Sequence, residues 1–265
     1  MMEWVAAYLA VGALAGFLAG LLGVGGGLII VPSLTVLFSS QHFPQTHLLH
    51  LALGTSLASI IFTSMSSLRT HHAHGAVNWR FVRDITPGIA VGTLLGSGLA
   101  AQLSSSTLAL FFAMFLYYAA SQILLDIKPK PSRQLPGKVG TFIVGSIIGI
   151  IFSLVAGGGA IMTVPFMLYC NIKTHDAIGT SAAIGFPIAV FGTAGYIFTG
   201  LTQENLPPLS LGFVYLPALL WLAVASVLTA PHGAKLAHRL PVARLKKILA
   251  VLLYFIATKM LVGLF

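Results

Sequence analysis

The sequence predicts an all-α polytopic membrane protein: a transmembrane helical bundle built from two inverted repeats, each a Gly-broken, re-entrant segment followed by three transmembrane helices. Three observations predict it. The 265 residues are 57% hydrophobic and only 7% charged, with a mean hydropathy of +0.96. Their apolar runs are long and continuous. The two halves also carry the same short motifs in the same order.

Composition sets the solvent. A soluble domain carries about a quarter charged residues, and 7% cannot cover a water-exposed globule. In lipid every backbone polar group must be satisfied internally, which leaves helices or a closed barrel. Continuous rather than alternating apolar runs select helices. The formal charge of +9 would suggest nucleic acid in a soluble protein. Here the basic residues sit in short loops, so they serve topology and contact with anionic lipid, and no nucleic-acid partner is expected. Cys170 is the single cysteine, which excludes an internal disulfide. The start, MMEWVAAYLAVGALAGFLAG, lacks a basic n-region and reads as a retained membrane segment rather than a cleaved signal.

Apolar segments fall at 4–38, 48–68, 82–102, 106–126, 139–170, 176–200, 209–231 and 242–264. As one helix, 4–38 would be about 52 Å long against a hydrocarbon core of about 30 Å. That segment holds Gly25-Gly26-Gly27, and 139–170 holds Gly157-Gly158-Gly159; Pro32 and Pro165 follow. Each is expected to be two pieces joined at a glycine tip, either re-entrant or crossing twice.

GVGGGLIIVP from Gly23 matches AGGGAIMTVP from Ala156, and HLALGTSLA from His50 matches HDAIGTSAA from His175. Gly75 and Gly200 follow at the same spacing. The repeats are expected at 1–127 and 139–265, joined by a cytoplasmic linker at 128–138, in one membrane domain. If each broken segment enters and leaves by one side, Arg69, Arg80, Arg83, Lys128, Lys130, Arg133, Lys138, Lys173, Lys235, Arg239, Arg244, Lys246 and Lys247 share a face. Only Lys259 falls near the other. Basic loops mark the cytoplasm, so both termini are expected outside, in a bacterial inner membrane. Each half then crosses an odd number of times, and the halves are inverted, with the site between them.

Two glycine tips entering from opposite sides would bring backbone N–H groups and helix N-termini together near the midplane, where they favour an anion. The substrate-binding candidates are Gly25, Gly26, Gly27, Gly157, Gly158 and Gly159, with the hydroxyls of Thr55, Ser56, Thr180 and Ser181 from the two Gly-Thr-Ser motifs. Glycines can instead serve helix packing alone, and the hydroxyls can bond back to their own helix. His50, His175 and Asp176 are candidates for proton coupling. His71, His72 and His74 cluster in a loop but lack a metal-site pattern, and no metal or other cofactor is expected. Cys170 reads as inert. No Lys, Arg, Asp or Glu is placed mid-membrane, which argues against a buried carboxylate relay or a voltage sensor.

At these motifs the sequence resembles the TauE/SafE sulfite exporter, or TSUP, family of permeases. The resemblance runs through GLLGVGGGLIIVPSL (Gly20 to Leu34), ALGTSL (Ala52 to Leu57), HGAV (His74 to Val77), LVAGGGAIMTVP and AIGTSAA. In the second half Ala160 replaces the last glycine of the run, and Thr-Gly-Leu-Thr stands where HGAV would be. The resemblance implies a carrier of sulfite, sulfonates, thiosulfate or related small organic anions, and a role for Gly25, Gly26, Gly27, Thr55, Ser56 and their second-half partners.

The expected function is therefore secondary transport of a small anion by alternating access, with co-transported H+ as a candidate partner and membrane lipid as the surroundings. The alternatives are a non-transporting scaffold subunit and an intramembrane hydrolase using Ser56 or Ser181. Each Gly-Thr-Ser lacks a nucleophile elbow, so no enzyme is expected. Substrate identity, direction of transport, coupling ion and oligomeric state are not written in the sequence.

Overall fold

The computed structural model describes residues 2–22, 26–125, 132, 134–157, 159–237 and 242–263. Gly25 and Gly158 lie outside the described residues, as do 128–131 and 133 of the linker, and Arg239. Among the described residues the chain forms α1 (Met2–Leu22), α2 (Gly27–Ser40), α3 (Leu48–Ala73), α4 (Trp79–Gln102), α5 (Ser105–Leu125), α6 (Lys138–Val155), α7 (Ala160–Tyr169), α8 (Thr174–Gly200), α9 (Leu216–Ala237) and α10 (Val242–Val262). One short antiparallel ribbon, β1 (Ser210–Leu211) with β2 (Val214–Tyr215), precedes α9.

Among the described residues six helices are long and apolar enough to cross a bilayer, over Glu3–Gly20, Gln45–Ala73, Ser105–Leu125, Lys138–Val155, Thr174–Gly200 and Leu216–Gly233. At 24 and 21 residues α4 and α10 are of similar length; charged residues in their first turns lower their apolarity. The outer surface is apolar: Val139 is 74% exposed, Phe198 69% and Ile248 67%. Only lipid makes such a surface stable.

Both long apolar segments are broken at their glycines. α1 ends at Leu22 and α2 starts at Gly27. α6 ends at Val155, where Ala156 turns left-handed at φ 42°, and α7 starts at Ala160. Pro32 and Pro165 stand at the sixth position of α2 and α7, where the ring removes one helical hydrogen bond near the break. In each case the chain returns to where it began. Gln41 Nε2 donates to Tyr8 Oη at 2.6 Å, bringing the end of α2 to the start of α1. Ser132 N–H donates to the Tyr169 carbonyl at 3.2 Å, bringing the end of α7 to the approach to α6.

The centre is α3, with 83% of its span buried against 22–56% for the other five. It runs antiparallel to α8: a Cβ on Gly192 would touch Leu57, and one on Gly185 would approach Ser64. The pair α5 and α10 is antiparallel too, tied by Tyr117 Oη to Thr258 Oγ1 at 2.8 Å and Ser121 Oγ to Tyr254 Oη at 2.7 Å. The first helix of each half packs in the other half. α1 lies parallel to α9, its Gly12, Gly16 and Gly20 against the backbone of Leu222, Ser226 and Ala230. α6 lies parallel to α4, its Gly145 and Gly149 against the backbone of Ile85 and Ile89. Bare glycine ridges let these backbones touch where lipid supplies no hydrophobic drive for helix association.

One sequence match is replaced. The expectation set Thr199-Gly200-Leu201-Thr202 opposite His74-Gly75-Ala76-Val77. In the structure the segment with the role of Gly75-Ala76-Val77-Asn78 is Gly212-Phe213-Val214-Tyr215. Gly75 and Gly212 both take positive φ, 67° and 55°, and both segments dock on the Gly-Thr-Ser of the opposite half. The second half has a turn and strand β1 before this segment, which shifts the spacing.

Candidate functional site

The site is built on α3 and α8, from the two Gly-Thr-Ser motifs outward. Gly54 and Gly179 have no side chain because the neighbouring backbone occupies that space: a Cβ would overlap the Phe213 carbonyl at Gly54 and the Ala76 carbonyl at Gly179. The next residue fixes the same segment. Tyr215 N–H donates to Thr55 Oγ1 and Asn78 N–H donates to Thr180 Oγ1, each at 2.9 Å. Each Gly-Thr pair is thus a clasp that holds the segment leading into the other half's helix, α9 or α4. The threonine oxygens act as acceptors from backbone; as ligand donors they retain only their hydroxyl protons.

The serines differ between halves. Ser181 Oγ accepts a hydrogen bond from Thr163 Oγ1 of α7 at 2.7 Å. Ser56 is fully buried and its Oγ has no partner among the described residues. Ile30 occupies, in the α2 motif, the place of Thr163 in the α7 motif, so Ser56 has no hydroxyl to pair with. Ser59 and Thr193 are likewise buried, with hydroxyls unpartnered among the described residues. Buried polar atoms are ordinarily hydrogen-bonded, so these mark places where another partner belongs.

The two breaks meet. A Cβ on Gly27 would overlap the Ala156 carbonyl, and its other neighbour is Ile60 Cδ1, halfway along α3. Ser56 lies one turn before Ile60 on the same face of α3. Gly157 faces Leu28 and Phe152, and Gly159 faces Ile184 and Ile188 of α8. Gly26, which precedes α2, lies against Ala15 and Ile30. The first N–H groups of α2 and α7 have no intrahelical acceptors, and both helices begin at this junction.

Other candidates are scattered. His50 is 2% exposed; its Nε2–H donates to the Ala100 carbonyl at 2.9 Å, and Nδ1 has no partner among the described residues. His175, its motif counterpart, has a side chain 70% exposed, with Nδ1 3.6 Å from Asp176 Oδ1. The structure does not bring His50 together with His175 and Asp176. Trp79 Nε1–H donates to His72 Nδ1 at 3.1 Å, and His74 Nδ1 bonds the Thr70 carbonyl at 2.7 Å. Among the described residues no group of three His, Cys, Asp or Glu is placed to hold a metal. Cys170 is buried.

The two ends of the α3–α8 pair differ. At the His50 end, His50 stacks on Phe213 at 5.0 Å, Phe213 meets Tyr196 edge-on at 6.3 Å, and Phe38, Phe43 and Tyr215 pack mutually at 5.0–5.6 Å. Tyr196 Oη reaches the Ser153 carbonyl at 2.9 Å, just before the second break. At the opposite end Ala76 and Asn78 stand where Phe213 and Tyr215 stand here. Sequence reading missed Thr163, Tyr196, Phe213 and Tyr215. For Thr163 the signal was present, as the one hydroxyl in GGGAIMTVP.

An apolar outer surface and two helical segments broken at a shared centre are the build of an integral membrane protein with an interior site, and the comparisons with known proteins give its class as a membrane transporter. The chain belongs to the TauE/SafE sulfite exporter family, whose model, described as "Sulfite exporter TauE/SafE", matches residues 8–260. It is similar to a probable membrane transporter protein of Haemophilus influenzae, 36% identical over 98% of this chain and 99% of that protein. It also resembles the probable membrane transporter protein YdhB of Bacillus subtilis, 29% identical over 88% of this chain and 90% of that one. A probable membrane transporter protein of Methanocaldococcus jannaschii is 25% identical over 92% and 90%. No solved structure matches the chain at a significant level.

Proposed function

We propose that the protein is a secondary permease for a small oxyanion, of the class of sulfite, sulfonates and thiosulfate, working by alternating access in a bacterial inner membrane. The observation that carries this reading is the junction of the two glycine breaks beside Ser56. Two helix N-termini and a buried, unpartnered hydroxyl offer N–H and O–H donors in a site free of formal charge. Neutral donors hold an anion less tightly than a buried arginine, which suits turnover. The family supports the sulfur oxyanion class.

The halves are inverted repeats, over 1–127 and 139–265. The antiparallel pairs α3–α8 and α5–α10 support this, since equivalent helices related by an axis in the membrane plane must oppose one another. The exchanged pairs α1–α9 and α6–α4 support it too. The basic loops are cytoplasmic and the termini outside. The aromatic cluster around Phe213 and Tyr196 is then the closed outer gate, and Ala76 and Asn78 mark the looser inner end. Rocking of one half on the other, about the Thr55 and Thr180 clasps, exchanges the two. Gly25, Gly26, Gly27, Gly157, Gly158, Gly159, Thr55, Ser56, Thr180 and Ser181 form the binding region, and proton coupling falls to His50, the buried histidine among the described residues.

The test is flux of labelled sulfite, taurine-like sulfonates and thiosulfate in proteoliposomes, with and without an imposed proton gradient. Saturable, mutually competing uptake of these anions is expected. Absence of flux for all three, from protein shown to be folded, removes the substrate assignment.

A further inference from the structure

The geometry points to a binding site for an anionic phospholipid in a groove between α2, α5 and α10, with Lys259 as its headgroup ligand. The groove has a volume of about 670 Å³, within the range of sites that hold a small organic ligand. Its mouth carries Ser39, Ser40, Ser106 and Lys259, and its floor is apolar, formed by Leu49, Ala109 and Ile256. That order, one cation and hydroxyls above an apolar floor, matches a phosphate headgroup above an acyl chain.

Lys259 needs an explanation that topology does not supply. Among the described residues it is the single Lys or Arg at the end of the bundle where α2 finishes and α3 begins, and the positive-inside tendency disfavours a lysine there. Among the described residues no Asp or Glu side chain lines the groove. Lys259 Nζ sits 5.8 Å from the Phe255 ring centre, held by an aromatic face rather than by an acid. A lysine in that position is complementary to an anionic headgroup and indifferent to a zwitterionic one. The inference is independent of the transported substrate, because the groove includes none of the residues at the glycine junction.

The experiment uses the full chain in neutral detergent with phosphatidylglycerol, phosphatidylethanolamine, inorganic phosphate and glycerol 3-phosphate as probes. Bound lipid is counted by native mass spectrometry, and melting is followed in parallel. Phosphatidylglycerol should be retained and raise the melting temperature, phosphatidylethanolamine much less, and the two water-soluble anions not at all. Lys259→Gln should weaken phosphatidylglycerol binding about fivefold, the worth of one lysine beside an anionic headgroup. Ala109→Phe, which keeps the charge and fills the floor, should also lose the lipid. Equal retention of both lipids by the unaltered protein overturns the proposal. So does an effect reproduced by phosphate alone, which would mean a free-anion site. If either variant fails to fold, the other variant and the lipid preference of the unaltered protein decide.

Discussion

Thr55 and Tyr215, 160 residues apart, are joined by a buried hydrogen bond in which the Tyr215 N–H donates to the Thr55 hydroxyl oxygen. The same bond recurs between Asn78 and Thr180 across 102 residues. Thr55→Val keeps the shape and strands a buried N–H, a loss of about 1–3 kcal/mol. Thr180→Val should cost less, about 1 kcal/mol, because its bond is only partly buried. Serine at either position should restore most of the loss. Melting of the four variants in one detergent checks the order.

Gly54 and Gly179 should resist even alanine. The added methyl group would overlap the Phe213 or Ala76 carbonyl, and forcing atoms into a filled space costs about 1–3 kcal/mol. Gly98 provides the control, since a Cβ there meets nothing within 4 Å. Gly98→Ala should be neutral or stabilising by about 0.5–1 kcal/mol, as alanine is the better helix former. Equal melting shifts at Gly54 and Gly98 would show that the close approach is unimportant.

Ser56→Ala separates a substrate role from a structural one. The hydroxyl has no partner among the described residues, so its removal breaks no hydrogen bond seen there and should leave melting unchanged or raise it. Flux should nonetheless suffer, with the apparent KM for the anion rising about tenfold, in line with one neutral hydrogen bond at about 1.4 kcal/mol per decade. Ser181→Ala should instead lower melting slightly, because it removes the buried Thr163–Ser181 hydroxyl pair and leaves Thr163 Oγ1 only the Gly159 carbonyl. A Ser56→Ala protein with unaltered flux would remove Ser56 from the binding region.

Topology is checked with engineered thiols at Gln41 and Ser132 in a Cys170→Ala background. Gln41 shares an end of the bundle with Tyr8, and Ser132 lies beside Tyr169 at the start of the second broken segment. An impermeant maleimide should reach Gln41→Cys from outside intact cells and Ser132→Cys only after permeabilisation. Labelling of both from one compartment would overturn the inverted arrangement.

The glycine breaks were legible in the sequence because three physical signals coincide there: excess length for a bilayer, a run of residues that destabilise helices, and a following proline. The Gly-Thr-Ser motifs were legible as a repeated pattern, but not in what they hold. Nothing near Thr55 in the chain names Tyr215; the partner is set by tertiary packing. The β-ribbon was hidden because Ser210 to Tyr215 reads as the start of the α9 apolar run, and only the positive φ of Leu209 and Gly212 turns the chain. His50 and His175 looked equivalent because they share a motif offset. Burial separates them, and burial is decided by Phe213 and Ala100, distant residues that pack over His50 and not over its counterpart.

The exchange of first helices has a consequence for how such a molecule can be assembled. A fragment ending near residue 137 would keep α1 without α9 and α4 without α6, leaving the Gly12–Gly16–Gly20 ridge and its opposite number bare toward lipid. Neither fragment is self-sufficient, so expressing one alone should yield a proteolysed product, and co-expression should rescue both. A solitary half could become whole only by meeting a copy of itself head to tail. Such a copy must have entered the bilayer in the reverse sense, which makes balanced insertion in both orientations the precondition of any single-unit version of this architecture.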